Sequence, residues 1–176
     1  MTPSPFSATA DLVLDGDLGP ARLRPPAPEE CARLAVAIVA MPPWSTLGYG
    51  AEAMAAHLAA EESGARRYVI EIGDEPAGAA TIRHPWLRGP YVELLAVLPD
   101  FRARGIGGSF LRWLEQEALH HDARNLWVCA SRFNERARRF YARHGFAEAA
   151  ALPGLVADGF DEILLRKFPI GPGGGA

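Results

Sequence analysis

The chain is predicted to fold as one α/β domain of the α+β kind, and three features predict it. Seven short apolar or alternating runs are interleaved with four helical patterns in the order β, α, α, β, β, β, α, β, α, β, β. A glycine-rich turn joins a buried strand directly to a helix at residues 98–108. The 176 residues, 49% hydrophobic and 22% charged, make an ordinary globular composition for a single domain. Residues 1–20 are read as an N-terminal extension with one optional strand at 12–14. Residues 21–168 form the domain. The glycine-rich end, 169–176, has little to bury and is expected to be disordered.

The elements follow in order. Residues 21–24 alternate and stop at Pro25-Pro26. Pro28 with Glu29 and Glu30 suits the first turn of a helix ending before Pro42-Pro43. Residues 41–50 read as a loop, and an alanine-rich helix follows over 51–62. Strands at 68–72 and 77–83 flank the turn Gly73-Asp74-Glu75-Pro76. Residues 85–90 read as another loop. Residues 91–97 are apolar apart from Glu93, as a buried strand requires. After Gly107 an apolar stripe of Ile106, Phe110, Trp113, Leu114 and Ala118 marks a helix, with Arg112, Glu115 and Glu117 facing outward. A strand spans 125–130. Asn134 is a good N-cap for the next helix, and Gly145 ends it. Residues 146–149 read as a short strand, 150–159 as a loop and 160–168 as the last strand.

Net charge is −3, so bulk electrostatics gives no reason to expect nucleic acid or an anionic membrane as partner. Cys31 and Cys129 are too few for a disulfide framework or a zinc site and read as small core residues. No metal is expected. Residues 1–10 lack the basic and apolar segments of a signal peptide, and no run approaches a membrane span, so the expected location is cytoplasmic.

The turn Arg102-x-x-Gly105-x-Gly107-Gly108 carries the chemistry. Glycines let backbone amides turn toward a ligand, and a helix N-terminus adds unpaired donors and partial positive charge. Such a turn is a phosphate socket. It is not a nucleotide P-loop, because no lysine follows the glycines; Lys167 is the only lysine in the chain. It is not a dinucleotide fingerprint either, because its spacing differs and the next strand carries no acid.

Strand, Leu-Pro-Asp, Phe-Arg-Ala-Arg-Gly-Ile-Gly-Gly and helix resemble the acyl-CoA-binding motif of the GNAT superfamily of N-acetyltransferases. Residues 131–146, from Ser131-Arg132-Phe133-Asn134 to Phe140-Tyr141-Ala142-Arg143-His144-Gly145-Phe146, resemble that family's second signature. The resemblance covers about residues 21–168. It implies a mixed, twisted sheet of about seven strands with helices on both faces. It also implies that the strands 91–97 and 125–130 splay apart around acetyl-CoA, the co-substrate.

By the same resemblance the backbone of Leu95, Ala96 and Val97 would hold the pantetheine arm as a surrogate strand. The amides of Ala103, Arg104, Gly105, Ile106, Gly107 and Gly108 would hold the pyrophosphate. Arg102 or Arg104 would add charge or simply be solvated. Asn134 would bond the pantetheine, cap its helix, or do both. Tyr141, two turns on and on nearly the same face, would lie by the thioester sulfur as general acid or serve as a core aromatic. A phenol with a pKa near ~10 can protonate a departing thiolate.

Glu93 is the one acid in its strand, alternating with Tyr91, Leu95 and Val97. It is offered as general base, as the group that binds the substrate ammonium, or as a structural partner for an arginine such as Arg83. Ribosomal-protein alanine acetyltransferases of the family carry a glutamate on the fifth strand, where Cys129 stands here, so that specific activity is not expected. Loop aromatics Trp44, Tyr49 and Trp86, with residues 150–159, would build the acceptor site. The expected reaction is direct transfer to a small-molecule or peptide amine in a ternary complex, by a monomer or homodimer. The alternative is a non-catalytic acyl-CoA-binding module.

Overall fold

The computed structural model describes residues 6–14 and 20–171. Eight strands form one sheet in the order β1-β2-β3-β4-β5-β6-β8-β7, one more strand than expected. The additional strand is β1 (Ala10–Leu12), which pairs antiparallel with β2 (Ala21–Arg24). All pairings are antiparallel except that of β5 (Gly89–Val97) with β6 (Leu126–Ser131), which is parallel.

Alternation along the strands builds two cores. Val69, Ala79, Leu94 and Ala96 face helices α1 (Pro28–Val39) and α2 (Ala51–Ala59). Tyr68, Ile70, Ala80, Ile82 and Val92 face the opposite way, onto helix α3 (Ile106–His120). Tyr141, from α4 (Glu135–Arg143), joins that second core. The sheet is thus covered on both faces, as neighbouring residues of a buried strand require.

Four stretches differ most from the sequence reading. Helix α2 ends at Ala59 because the Ala60 carbonyl accepts a hydrogen bond from Arg67 Nη1 at 2.9 Å and Ala60 turns extended. Residues 85–90 are not a loop. Strand β4 (Glu75–Trp86) and β5 run up to a two-residue turn, Leu87-Arg88, both at positive φ. That geometry suits the twist of a tight hairpin but lacks the usual Asn-Gly signature. Strand β3 (Ala65–Ile72) begins three residues early. Strand β7 (Ala147–Pro153) absorbs the first four residues of the expected loop by pairing with β8 (Asp161–Lys167).

Glu115 does not face solvent: its carboxylate meets Lys167 Nζ at 2.6 Å and accepts from the Gly171 amide at 2.9 Å. Of the glycine-rich end, Ile170 packs against the core, and residues 172–176 lie outside the described residues. No helix among the described residues is long and apolar enough to cross a membrane.

Candidate active site

The two central strands part. β5 and β6 share only the pairs Tyr91↔Trp127 and Val92↔Val128, although both continue beyond them. A cavity of about 290 Å³ opens where they separate. On its β5 side a β-bulge re-aims the chain. Thr81 pairs with Leu94 and Ile82 with Val92, so Glu93 is the extra residue. The bulge breaks the alternation expected from sequence. Leu95 and Val97 pack on the α3 side, while Leu94 and Ala96 pack on the α1–α2 side. Glu93 and Tyr91 line the cavity, and the Glu93 carboxylate meets Arg83 Nη2 at 3.0 Å. Arg83 also holds Glu62 at 2.7 Å. The structural partnership with Arg83 is therefore real, and it exists at the cavity wall.

The β6 side contributes Val128, Cys129, Ala130 and Ser131. Val128 and Ala130 belong to the α3-side core, so Cys129 and Ser131 point the other way. Cys129 is therefore half-buried in the cavity wall rather than in the core. Burial pushes its thiol pKa up, a shift opposed by a hydrogen bond from Tyr91. Ser131 is in register with Glu162 of β8, and its hydroxyl donates to Glu162 Oε1 at 2.5 Å. Glu162 is only 5% exposed and lines the cavity. Burial raises its pKa, and the Ser131 bond only partly offsets that. Sequence reading missed Glu162, because two acids before an apolar run resemble the solvated start of a strand.

Helix α4 supplies Asn134, Ala137 and Tyr141. Asn134 is the N-cap, its Oδ1 accepting from the Ala137 amide at 3.2 Å, and it also faces the cavity. Tyr141 is buried against Phe140 and Phe146, with ring centroids 5.1 and 5.5 Å away. Burial, and then the nearby Cys129, raise its phenol pKa well above the ordinary value. Its proton is therefore retained at neutral pH. The loop between α1 and α2 roofs the cavity with Trp44 and Tyr49, and the turn after β7 adds Leu155 and Val156. Trp86 does not line it; the indole stacks on Tyr91 at 4.8 Å and supports that wall from behind.

The glycine-rich turn lies past the end of β5 and is not part of this cavity wall. Ala103 and Gly105 both take positive φ, +60° and +76°. The first bond of α3 runs from the Ser109 amide to the Gly105 carbonyl at 2.9 Å. The amides of Ile106, Gly107 and Gly108 thus have no partner within the helix. Gly107 and Gly108 serve packing as well. An added Cβ would lie 3.0 Å from the Phe140 ring at the first and 2.7 Å from His144 Nε2 at the second. Arg102 turns back, its Nε donating to the Val97 carbonyl at 3.1 Å, and Arg104 lies 5.4 Å from the centroid of the Phe101 ring. Of the residues singled out in the sequence, the cavity gathers Trp44, Tyr49, Glu93, Leu95, Asn134 and Tyr141. Ala96 and Val97 continue β5 toward the turn. No group of metal-ligating side chains occurs among the described residues.

Comparison with known proteins agrees with this fold. The acetyltransferase (GNAT) family model matches residues 29–146. An uncharacterised N-acetyltransferase of Methanocaldococcus jannaschii is 36% identical over 101 residues, 57% of this chain. The match spans 64% of that relative's length. An acetyltransferase from Thermus thermophilus superposes with a TM-score of 0.68 at 19% identity, over 84% of this chain and 96% of its own. Mycobacterium smegmatis RimJ, solved in complex with CoA-disulfide, superposes with a TM-score of 0.64 at 20% identity, over 94% and 89%. Those two likenesses are of fold, whereas the family model spans both the glycine-rich turn and the helix bearing Tyr141. The chain belongs to the GNAT family of acetyltransferases.

Proposed function

We propose that this chain moves an acetyl group from acetyl-CoA to a primary amine by direct attack within a ternary complex. The observation that carries the reading is the parting of β5 from β6 after two residue pairs, with the protonated Tyr141 phenol at the gap. The residues fit an amide-bearing thioester carrier. Leu98 donates to the Ala77 carbonyl, so alternation aims the amides of Leu95 and Val97 away from β4, toward the open side. An extended arm carrying its own amides can bond there as a surrogate strand. The N-terminus of α3, with Ala103 and Gly105 in left-handed geometry, offers donors and partial positive charge to a pyrophosphate. A CoA complex of the structurally similar RimJ supports the same assignment.

Bound acetyl-CoA would supply an activated acyl group: the amine nitrogen bonds the acyl carbon and sheds one proton, which reloads the acid, while the carbon–sulfur bond breaks and the departing thiolate takes the acid's proton. Tyr141 is the donor of that proton. Its raised pKa keeps the phenol loaded, and a positioned acid of this kind contributes about 10²–10⁴-fold. Asn134 holds the start of α4, which carries Tyr141, and presents its amide to the carrier. Two carboxylates line the cavity, Glu93 and Glu162. Glu93, shared with Arg83, is assigned to drawing a cationic amine toward the mouth. Trp44 and Tyr49 form the roof against which the acceptor body packs. An acceptor screen with acetyl-CoA, following free thiol, tests the reading. Thiol release that depends on an amine and on Tyr141 supports it; CoA binding without turnover for any amine would make the chain a binding module instead.

A further inference from the structure

Glu162 stands apart among the carboxylates of this site. Glu93 is balanced by Arg83, but no cationic side chain pairs with Glu162 among the described residues. A carboxylate 95% removed from solvent is costly unless a partner arrives. Its one side-chain hydrogen bond among the described residues, from Ser131, fixes its direction without neutralising it. Cross-strand register puts Ser131 and Glu162 on the sheet face shared by Cys129 and Tyr91. That is the face roofed by Trp44 and Tyr49. Burial, and then the charges of Glu162 and Glu93, raise the pKa of the Tyr49 phenol. Among the described residues no lysine, arginine or histidine lines the cavity.

We infer that Glu162, oriented by Ser131, is the seat of the acceptor ammonium and takes its proton, and that the cavity selects arylalkyl amines bearing no anionic group. This rests on the acetyl-transfer reading above. The seat supplies the counter-charge the ammonium needs on leaving water. The nitrogen–hydrogen bond breaks, its electron pair stays on nitrogen, and the proton passes to the carboxylate oxygen. Burial places Glu162 above the ordinary carboxylate range, which brings its basicity closer to neutral pH. Trp44, Tyr49 and Tyr91 offer aromatic surface for the acceptor's body. An acceptor carboxylate, as in a free amino acid, would meet Glu162, which has no cation beside it among the described residues, and Glu93, which already occupies Arg83. It would also have to shed its hydration for nothing in return.

The test is calorimetric titration of the CoA-saturated protein with phenethylamine and, separately, with phenylalanine, which differ by one carboxylate. Phenethylamine is expected to bind at least tenfold more tightly. Glu162→Gln keeps the shape and the Ser131 contact; it should weaken phenethylamine at least tenfold and bind CoA as the wild type does. Equal binding of the two ligands overturns the proposal, as does absence of phenethylamine binding to the CoA complex. So does unchanged phenethylamine affinity in Glu162→Gln. The wild-type comparison stands even if that variant fails to fold. Failure of CoA itself to bind is seen before any amine is added and removes the acetyl-transfer reading, and the proposal with it.

Discussion

The Leu98 amide donates to the Ala77 carbonyl at 2.8 Å, and this bond sets the phase of β5. In an antiparallel ladder alternate residues bond the same neighbour. Ala96 and Leu94 therefore face β4, and Leu95 and Val97 face the space that β6 has vacated. The Val97 carbonyl accepts from Arg102, so the strand end is tied to the glycine-rich turn that follows it.

This phase predicts a pattern of amide exchange. In the protein alone, Leu95 and Val97 should exchange faster than Leu94 and Ala96. Adding CoA should slow Leu95, Val97 and Ile106 to Gly108 selectively. Hydrogen exchange followed residue by residue by NMR checks this, and protection of Leu95 and Val97 without ligand would contradict it.

Tyr141→Phe removes the proposed acid and leaves the ring packed on Phe140 and Phe146. Turnover with a competent amine should fall about 10²–10⁴-fold. CoA affinity should change less than about threefold, because the phenol is assigned to the departing sulfur and not to ground-state binding. Thiol release and CoA titration on the same preparation separate the two effects.

Gly105→Ala places a methyl group on a residue at φ +76°. A left-handed conformation costs an L-residue about 1–2 kcal/mol. For a chain of this size that corresponds to a Tm lower by roughly 2–8 °C. The variant should also bind CoA more weakly, since relief of the strain would rotate the amides at the start of α3. Thermal melts with and without CoA measure both effects.

Glu162→Gln should trade function for stability in a pH-dependent way. Burial raises the Glu162 pKa in the folded chain, so the native state holds this proton more tightly than the unfolded state. The favourable contribution is complete below the unfolded value, near ~4.3, and is lost as pH rises through the raised folded value. The variant should match the wild type near pH 4 and melt at higher temperature above pH 8. A difference in Tm that stays constant across that range would argue against the raised pKa.

Much of the molecule is written locally in the chain. The spacing Arg102-x-x-Gly105-x-Gly107 between a buried run and an amphipathic run specifies strand, turn and helix. Asn134 and Tyr141 sit two turns apart on one helix, and the structure places both at the cavity. Local pattern suffices there because turn conformation, capping and helical phase depend on neighbours in sequence. It does not reach contacts that depend on which strands pair and where. The bulge at Glu93 exists only against β4, and it decides which side of the sheet that carboxylate joins. Arg83 holds Glu93 from the neighbouring strand. The hairpin through Leu87 and Arg88 is imposed by the pairing of its strands on residues that do not advertise a turn. Ser131 and Glu162, 31 residues apart, meet through the register of β6 with β8. The chain alone thus determined the family, the helix carrying Tyr141 and the glycine-rich turn before α3. Only the paired sheet decided which carboxylates line the gap and which is left without a cation, because register is a property of two strands and burial a property of the whole core.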